Sequence, residues 1–223
     1  MGRTIWGILL FLCVVPGQSF GGDESVEIRP ESVSTQYRLD PKRSRLAVLV
    51  RYKRGTLVKG HDHVAQAEDF QGLVRWNPAD LSECFVEISF PVSALSIDPP
   101  GSRAWLGLSG ETRSSDIGKI ENNMRGKHVL DAARFGSVSY KAVRCEQAGE
   151  KVRVEGRMTV HGVTVAVETQ LTVKSEPNQF TAEGSFTAGH AWWEMVPYSA
   201  LMGAVRNDET LSFHIQVFGT PAP

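Results

Sequence analysis

The stretch from Val152 to Val173 alternates apolar and polar residues over its whole length, and it constrains the fold more than any other part of the chain. Small or apolar residues hold the even positions up to Val160. After His161-Gly162 they hold the odd positions, with Thr169 as the exception. A two-residue turn reverses the chain in this way and keeps both apolar sets on one face. The pattern predicts a hairpin with the pairs Val160–Val163, Met158–Val165, Gly156–Val167 and Val154–Thr169. A slip of one residue would expose the whole apolar set, so the register is well determined.

The same alternation recurs through most of the chain and predicts about eight strands with mostly antiparallel links. Besides the hairpin, the predicted strands cover Leu46–Tyr52, part of Thr56–Gln66, Phe70–Trp76, Cys84–Phe90 (continuing past a kink at Pro91 to Ile97), Val138–Ala142, Phe180–Ala188 and Leu211–Val217. The period changes between Ser114 and Arg125, where helical spacing and a following Gly126 predict one short helix.

Each predicted strand is apolar on one face only, so the chain must either face two sheets together or close a barrel. The inward positions include several small residues, namely Gly72, Ala142, Gly156, Ala182, Gly184 and Ala188. Small inward residues leave room inside, which favours a barrel with a cavity over a filled core. The predicted fold is all-β with one short helix, an antiparallel eight-stranded β-barrel. A filled core stays open as the alternative, because close packing is the rule in protein interiors.

The first 19 residues have the pattern of a signal peptide: Arg3 precedes an apolar run from Ile5 to Val15, and small residues follow at Gly17 and Ser19. We expect residues 1–19 to be a cleaved signal peptide, 20–36 a flexible lead-in, and 37–219 the folded domain. This predicts an exported protein without a transmembrane segment, because the apolar run is too short for a span. The formal charge of −1, without blocks of like charge, argues against nucleic acid as a partner.

Two cysteines follow the predicted leader, Cys84 and Cys145, an even number that permits one disulfide in an exported protein. Cys84 falls on the apolar face of its strand, whereas Cys145 falls on the opposite face of its own. A bond between them would require a bulge near Val143. The sequence alone leaves the disulfide open.

His61-Asp62-His63 is the one compact set of candidate metal ligands in the sequence. Residues i and i+2 of a strand point the same way, so both imidazoles could reach one ion, but no third ligand has suitable spacing. We favour the simpler interpretation, in which His61 and His63 form hydrogen bonds at a barrel rim and Asp62 caps a turn. Motifs of nucleophilic, zinc-hydrolase and nucleotide-binding enzymes are missing from the sequence, so we expect a protein that is not an enzyme.

Several segments resemble the YceI-like family of lipid- and polyisoprenoid-binding proteins. The most specific resemblance is the string from Val154 to Thr164, which is similar to the family's v-x-G-x-L-T-l-H-G-V-T. Weaker resemblances occur in the family's order at Tyr37–Pro41, Gly60–Val64, Phe70–Gly72, Met124–Phe135, Pro197–Gly203 and Asn207–Glu209. The chain departs from the family pattern at Arg43, at Gly136 and at Trp192–Glu194.

The resemblance implies a lipocalin-like barrel, export to the periplasm and a long apolar ligand, such as a polyisoprenoid, an isoprenoid quinone, or a fatty acid or amide. It implies no catalysis and no cofactor other than such a lipid. The partner we expect is therefore a lipid or isoprenoid ligand, and a homodimer is a further candidate assembly. The predicted ligand-binding residues are Val48, Val50, Tyr52, Phe70, Val74, Val86, Ile88, Phe90, Tyr140, Met158, Val165, Val167, Phe186 and Phe213.

Two other functions stay open at this point. One is a metal- or haem-linked stress-response protein that uses His61 and His63. The other is an exported protein-interaction domain with a filled core. The aromatic segment with Trp192, Trp193 and Tyr198 fits either a plug on the end of the barrel or an apolar lip that admits a lipid.

Overall fold

Twelve strands and two α-helices form the regular structure of residues 34–56 and 58–223, the part of the chain that this computed structural model describes. The strands are β1 (Thr35–Leu39), β2 (Arg45–Tyr52), β3 (His63–Ala67), β4 (Gln71–Trp76), β5 (Phe85–Pro91), β6 (Leu95–Ile97), β7 (Ser137–Ala148), β8 (Lys151–Val160), β9 (Val163–Glu176), β10 (Gln179–Gly189), β11 (Ser199–Ala200) and β12 (Val205–Pro221). The helices are α1 (Ser102–Trp105) and α2 (Ser114–Arg125). The predicted signal peptide and most of the predicted lead-in lie outside the described residues.

Eight of these strands close a ring in which every pairing is antiparallel. Its order is β1, β4, β5, β7, β8, β9, β10 and β12, and β12 pairs back with β1 through Tyr37 and Pro221. Closure removes the free edges that an open sheet would expose to other chains. The fold is therefore the predicted eight-stranded antiparallel barrel, although β1, which completes the ring, was not among the strands predicted from the alternation.

The other long-range pairings extend the wall at one end of the ring, which we call the upper end. There β12 pairs with β2, β2 with β3, and β3 with β6. Both β1 and β2 lie along the same side of β12, so together they act as one wall strand that is broken between Leu39 and Arg45. The pairs β3/β4 and β5/β6 are broken in the same way, the latter by a short 3-10 helix after Pro91. We call the opposite end, with the turn Gly149-Glu150, the lower end.

The predicted hairpin is confirmed as β8 and β9, with the register expected from the sequence. Val160 faces Val163, and the pairing continues without a shift to Val152 and Leu171. His161 and Gly162 both have positive φ, at 52° and 75°. That combination is the type I′ turn, whose twist matches the flanking strands.

A disulfide joins Cys84 and Cys145 near the lower end. The register of β7 against β8 shifts between Ala142 and Arg144, and the side chain of Val143 at that shift is 61% exposed. The extra residue turns Cys145 to the inside of the barrel, where Cys84 is within bonding distance. The bulge that the bond requires is thus present, and the disulfide left open by the sequence is formed.

Helix α2, predicted at its observed bounds, covers the free edge of β6. Glu121 Oε1 accepts a hydrogen bond from the backbone N–H of Ile97 (3.2 Å), and Arg125 Nη2 donates to the carbonyl of Leu95 (2.8 Å). An unpaired strand edge needs such partners, because unsatisfied backbone groups are costly where water is excluded. The two side chains also pair with each other at 3.3 Å.

Helix α1 was not predicted, and with the residues after it, it packs on the outer surface of the wall. Trp105, Leu106 and Leu108 cover Ala47, Leu49 and Val64, the outward residues of β2 and β3. The alternation marks Ala47 and Leu49 as outward but cannot show that a loop buries them. None of the described helices is long and apolar enough to cross a membrane.

Candidate ligand-binding cavity

Two adjoining cavities occupy the barrel interior. The upper one has a volume of about 480 Å³ and the lower one of about 140 Å³. Their walls share a set of residues near the middle of the barrel: Val48, Ala65, Phe90, Leu95, Val138, Met158 and Phe213. The upper volume lies within the roughly 300–1,000 Å³ that is usual for small-molecule sites. The interior is therefore not filled by the protein's own side chains.

The structure places most of the predicted ligand-binding residues on these cavities. Twelve of the fourteen line one or both: Val48, Val50, Tyr52, Val74, Val86, Ile88, Phe90, Tyr140, Met158, Val167, Phe186 and Phe213. The other two do not line them. Phe70 is buried in the cluster around the lower cavity, and Val165 packs against the upper cluster. That the twelve contact a ligand stays a prediction.

Aromatic packing closes the lower cavity at its base. The ring of Phe180 lies 5.3 Å from that of Tyr37 and 5.8 Å from that of Trp76, centroid to centroid, and all three side chains are buried. The walls above them are largely hydrocarbon, and Ser139, Tyr140, Thr169 and His214 contribute polar groups to the lining. Such a space suits an apolar chain and offers little to a polar molecule.

The inward glycines do not create this space, contrary to the expectation from the sequence. A Cβ on Gly156 would lie 2.4 Å from the phenol of Tyr140, and one on Gly72 would lie 2.7 Å from the side chain of Leu39. Neighbouring side chains therefore fold over the glycines and fill the room that they leave. The larger cavity lies instead at the upper end, where β2, β3 and β6 extend the wall beyond the ring.

Tyr140 is a polar group of the lower cavity that lacks a partner. Its hydroxyl is buried and forms no hydrogen bond with the described residues. Burial disfavours the phenolate and raises the pKa of Tyr140 to about 12. The neutral phenol is thus the stable form inside the barrel over the physiological range.

The upper cavity differs because polar side chains line its outer part. They come from four separated segments and are Lys59, His61, His63, Asp116, Lys119, Asn123, His190, Tyr198 and Asn207. Of these, the sequence had pointed to His61 and His63 as candidate metal ligands and to Tyr198 as part of the aromatic segment at the end of the barrel. Most of the others stand on loops, on α2 or on the 3-10 helix after β10, where no strand periodicity indicates which way a side chain points, and Asn207 lies near the start of β12. We call this polar part of the upper cavity the mouth.

His63 is held in the mouth by a buried carboxylate. Its Nδ1 lies 2.7 Å from Oδ2 of Asp98, whose side chain is 1% exposed. Asp98 also accepts from Thr112 Oγ1 (2.5 Å) and from the backbone N–H of Val64 (2.8 Å). Burial alone would raise the pKa of Asp98, but these hydrogen bonds outweigh it, so the pKa lies below its ordinary value. An ionised Asp98 can only accept, so His63 Nδ1 is the donor.

Among the described residues, the fold places no third metal ligand beside His61 and His63. Asp62 is used by Tyr52, whose backbone N–H donates to it (3.0 Å), and by Arg54, whose guanidinium lies at 3.2 Å. The rings of His61 and His63 are 6.5 Å apart. In the described part of the chain, no group of three or more His, Cys, Asp or Glu side chains is placed to hold a metal ion.

The aromatic segment after β10 and the residues that follow it have a buried part and an exposed part. Trp193 is fully buried, packs 5.6 Å from the ring of Phe213, and donates its indole N–H to the carbonyl of Met158 (3.2 Å). It forms a plug beside the cavity. In contrast, Trp192, Leu201 and Met202 are exposed at the surface of the same end.

Comparison with known proteins gives a consistent result for the fold. The family model described as YceI-like domain matches residues 37–217. BcnA of Burkholderia cenocepacia has a similar structure, with a TM-score of 0.59 and 14% identity, covering 82% of this chain and 99% of that one. A variant of the Campylobacter jejuni YCEI protein with a monobromobimane guest has a TM-score of 0.50 and 8% identity, covering 74% and 87%. A search of the curated proteins finds no match.

Proposed function

The chain belongs to the YceI-like family, whose barrels bind hydrophobic ligands, and from this premise we propose that it is a non-enzymatic carrier of a long apolar molecule. The ligand classes that fit are a polyisoprenoid, an isoprenoid quinone, and a fatty acid or amide. The ligand would extend from the mouth through the upper cavity and past Met158 into the lower one.

The observation that carries this proposal is the pair of adjoining, largely apolar cavities inside the barrel. Residues such as Val48 and Phe213 line both cavities, so one elongated molecule can contact the walls of each. Each methylene transferred from water contributes about 0.8 kcal/mol, so chain length governs the affinity more than any single polar contact in the lower cavity. A filled-core interaction domain would not leave such a space.

Export is the second part of the proposal. The Cys84–Cys145 disulfide fits an oxidising compartment, because cytosolic thiols are normally kept reduced. We propose that the protein acts in the periplasm or outside the cell after cleavage near Ser19. N-terminal sequencing of the protein from its own host tests this, and an intact Met1 would contradict it.

The carrier function can be tested by mass spectrometry of organic extracts from protein purified without detergent. We expect the wild-type protein to carry a lipid and Ala65→Trp to carry little, because Ala65 lines both cavities and an indole there would obstruct the passage between them. Ala104→Trp is the matched control, since Ala104 is exposed on α1, outside the barrel.

Circular dichroism should first confirm that both variants are folded, with Val48→Trp as a second obstructing variant. Consistent absence of lipid from the wild-type extract would contradict the carrier function. Equal lipid content in the wild type and in both folded obstructing variants would show that the ligand binds elsewhere.

A further inference from the structure

The side chain of His63 presents one unused ring nitrogen at the mouth. Its Nδ1 is engaged by Asp98, while its Nε2 has no hydrogen-bond partner among the described residues. By the alternation of β3, His63 lies on the same face as Ala65, which lines both cavities, and His63 itself lines the upper one. The fixed Nδ1 contact orients the ring, so Nε2 is available to a group that occupies the mouth.

Several contacts hold the carboxylate of Asp98 in the position from which it orients the His63 ring. Besides the hydrogen bonds from His63, Thr112 and Val64, it has the guanidinium of Arg103 at 3.3 Å. Arg103 also donates to the carbonyl of Asp62 (2.7 Å), which ties the loop after β6 to the start of β3. A side chain held by this many contacts keeps its geometry when a ligand arrives, which lowers the cost of binding.

The charges at the mouth favour a negative ligand group. Asp116 is the carboxylate in the lining, and it is paired with Lys119 at 3.4 Å. Lys59, His61 and His63 remain, and neither Lys59 nor His61 forms an ion pair with a described residue. Besides His63, whose partner is Asp98, the mouth therefore offers the ammonium of Lys59 and the imidazole of His61, neither of which has a counter-ion among the described residues.

We propose that Lys59, His61 and His63 form a headgroup subsite that takes the anionic end of an amphiphile, a carboxylate or a phosphate. In its protonated form His63 donates from Nε2 to the headgroup and from Nδ1 to Asp98, so Asp98 is a positioning residue. The proposal rests on the carrier function, since the apolar tail of the same molecule occupies the barrel. It adds that the carrier distinguishes ligands by their polar end.

Three probes with the same hydrocarbon chain test this subsite: oleate, oleyl phosphate and oleyl alcohol. Each is titrated against the folded, delipidated protein by displacement of the neutral dye N-phenylnaphthylamine. We expect the two anionic probes to bind at least about tenfold more tightly than the alcohol, as one or more charge-assisted hydrogen bonds would give. The ratio of oleate to oleyl phosphate then shows which anion the subsite prefers.

Variants of His63 separate the subsite from general effects on the cavity. His63→Leu removes the donor, and His63→Gln keeps a polar side chain that can still bond to Asp98. In both we expect the preference for anions to fall to about threefold or less while the affinity for oleyl alcohol changes little. His128→Gln is the control, since His128 is an exposed histidine that lines neither cavity, and it should keep the wild-type preference.

The result that would overturn the subsite is equal binding of all three probes by the wild type, or an anion preference that survives in both His63 variants. Either outcome leaves the carrier function intact. If none of the three probes displaces the dye, the carrier function fails together with the subsite.

Discussion

The lower and upper ends of this barrel are built from the same alternating strands but are closed in different ways. At the lower end, tight turns, the Cys84–Cys145 disulfide and the packed rings of Tyr37, Trp76 and Phe180 leave about 140 Å³. At the upper end, β2, β3 and β6 extend the wall beyond the ring, α2 covers the free edge of β6, and about 480 Å³ stays open.

This difference indicates that the lower end of the barrel is the more rigid end and the upper end the more adaptable one. The lower end uses continuous backbone pairing and a covalent link, which stabilise the barrel whatever the upper end contains. At the upper end, loops and α2 supply much of the wall, and loops adjust around a ligand more readily than paired strands do, although His63 and Asp98 are held in place by their own contacts. A carrier needs both, since one end must hold the tail in place while the other admits it.

The largest expected effect on stability comes from removing the Cys84–Cys145 disulfide at the lower end. Replacing Cys84 and Cys145 together by serine should lower the free energy of unfolding by up to about 4 kcal/mol, because the bond closes a loop of 61 residues. Urea denaturation of the folded variant measures this. Since the link lies far from the mouth, lipid affinity below the unfolding transition should change little. A large loss of affinity would show that the two ends are coupled.

The glycines test how tightly the middle of the wall is packed. Gly156→Ala should cost about 1–3 kcal/mol, because its methyl group would overlap the ring of Tyr140. Gly118→Ala is the matched control in α2, where nothing lies within 4 Å of the added carbon, and it should stabilise by about 0.5–1 kcal/mol. Thermal unfolding of both variants gives the comparison. A neutral Gly156→Ala would mean that Tyr140 moves away freely.

The upper end should respond to acid through His190. Burial lowers the pKa of His190, partly opposed by its hydrogen bond to the carbonyl of Glu209. The unfolded chain then takes up a proton near pH 6.5 while the folded one does not. Stability is therefore full above about pH 6.5 and falls as the pH falls below it. Urea denaturation between pH 8 and pH 5 should show a smaller loss for His190→Gln. An identical loss in the variant would contradict this assignment.

The smallest effect is expected at the exposed tip of the upper end. Met202 is fully exposed, so Met202→Ser should change the free energy of unfolding by less than about 0.5 kcal/mol. Urea denaturation at neutral pH measures it. A loss above 1 kcal/mol would indicate that this loop packs on the barrel in solution and would narrow the difference between the two ends.

The parts of the fold that follow the two-residue period could be predicted from the sequence. The hairpin register from Val152 to Leu171 and the bounds of α2 are observed as expected, because both rest on uninterrupted periodicity. The same periodicity predicted which strand residues face the barrel interior, and twelve of the fourteen proposed residues line the cavities. Phe70 was assigned inward correctly, but it precedes β4 and is covered by its neighbours.

What the sequence could not show depends on contacts between distant segments. The covering of Ala47 and Leu49 by the residues around α1 has no local signal, nor has the joining of His63 to Asp98, 35 residues away. The expectation that Gly156 leaves room was wrong because the size of one residue does not fix the local volume, and Tyr140 fills it. Most of the mouth was missed because its residues come from loops, from α2 and from other separated elements, which only the tertiary fold brings together.

The central claim is that the apolar space along the barrel axis holds an elongated ligand, and a crystal structure of protein purified without detergent from its own host tests it most directly. The account predicts continuous density from the mouth beside His63, past Met158, to the floor formed by Trp76 and Phe180. A barrel whose side chains have closed both cavities, or which contains only scattered water, would contradict it.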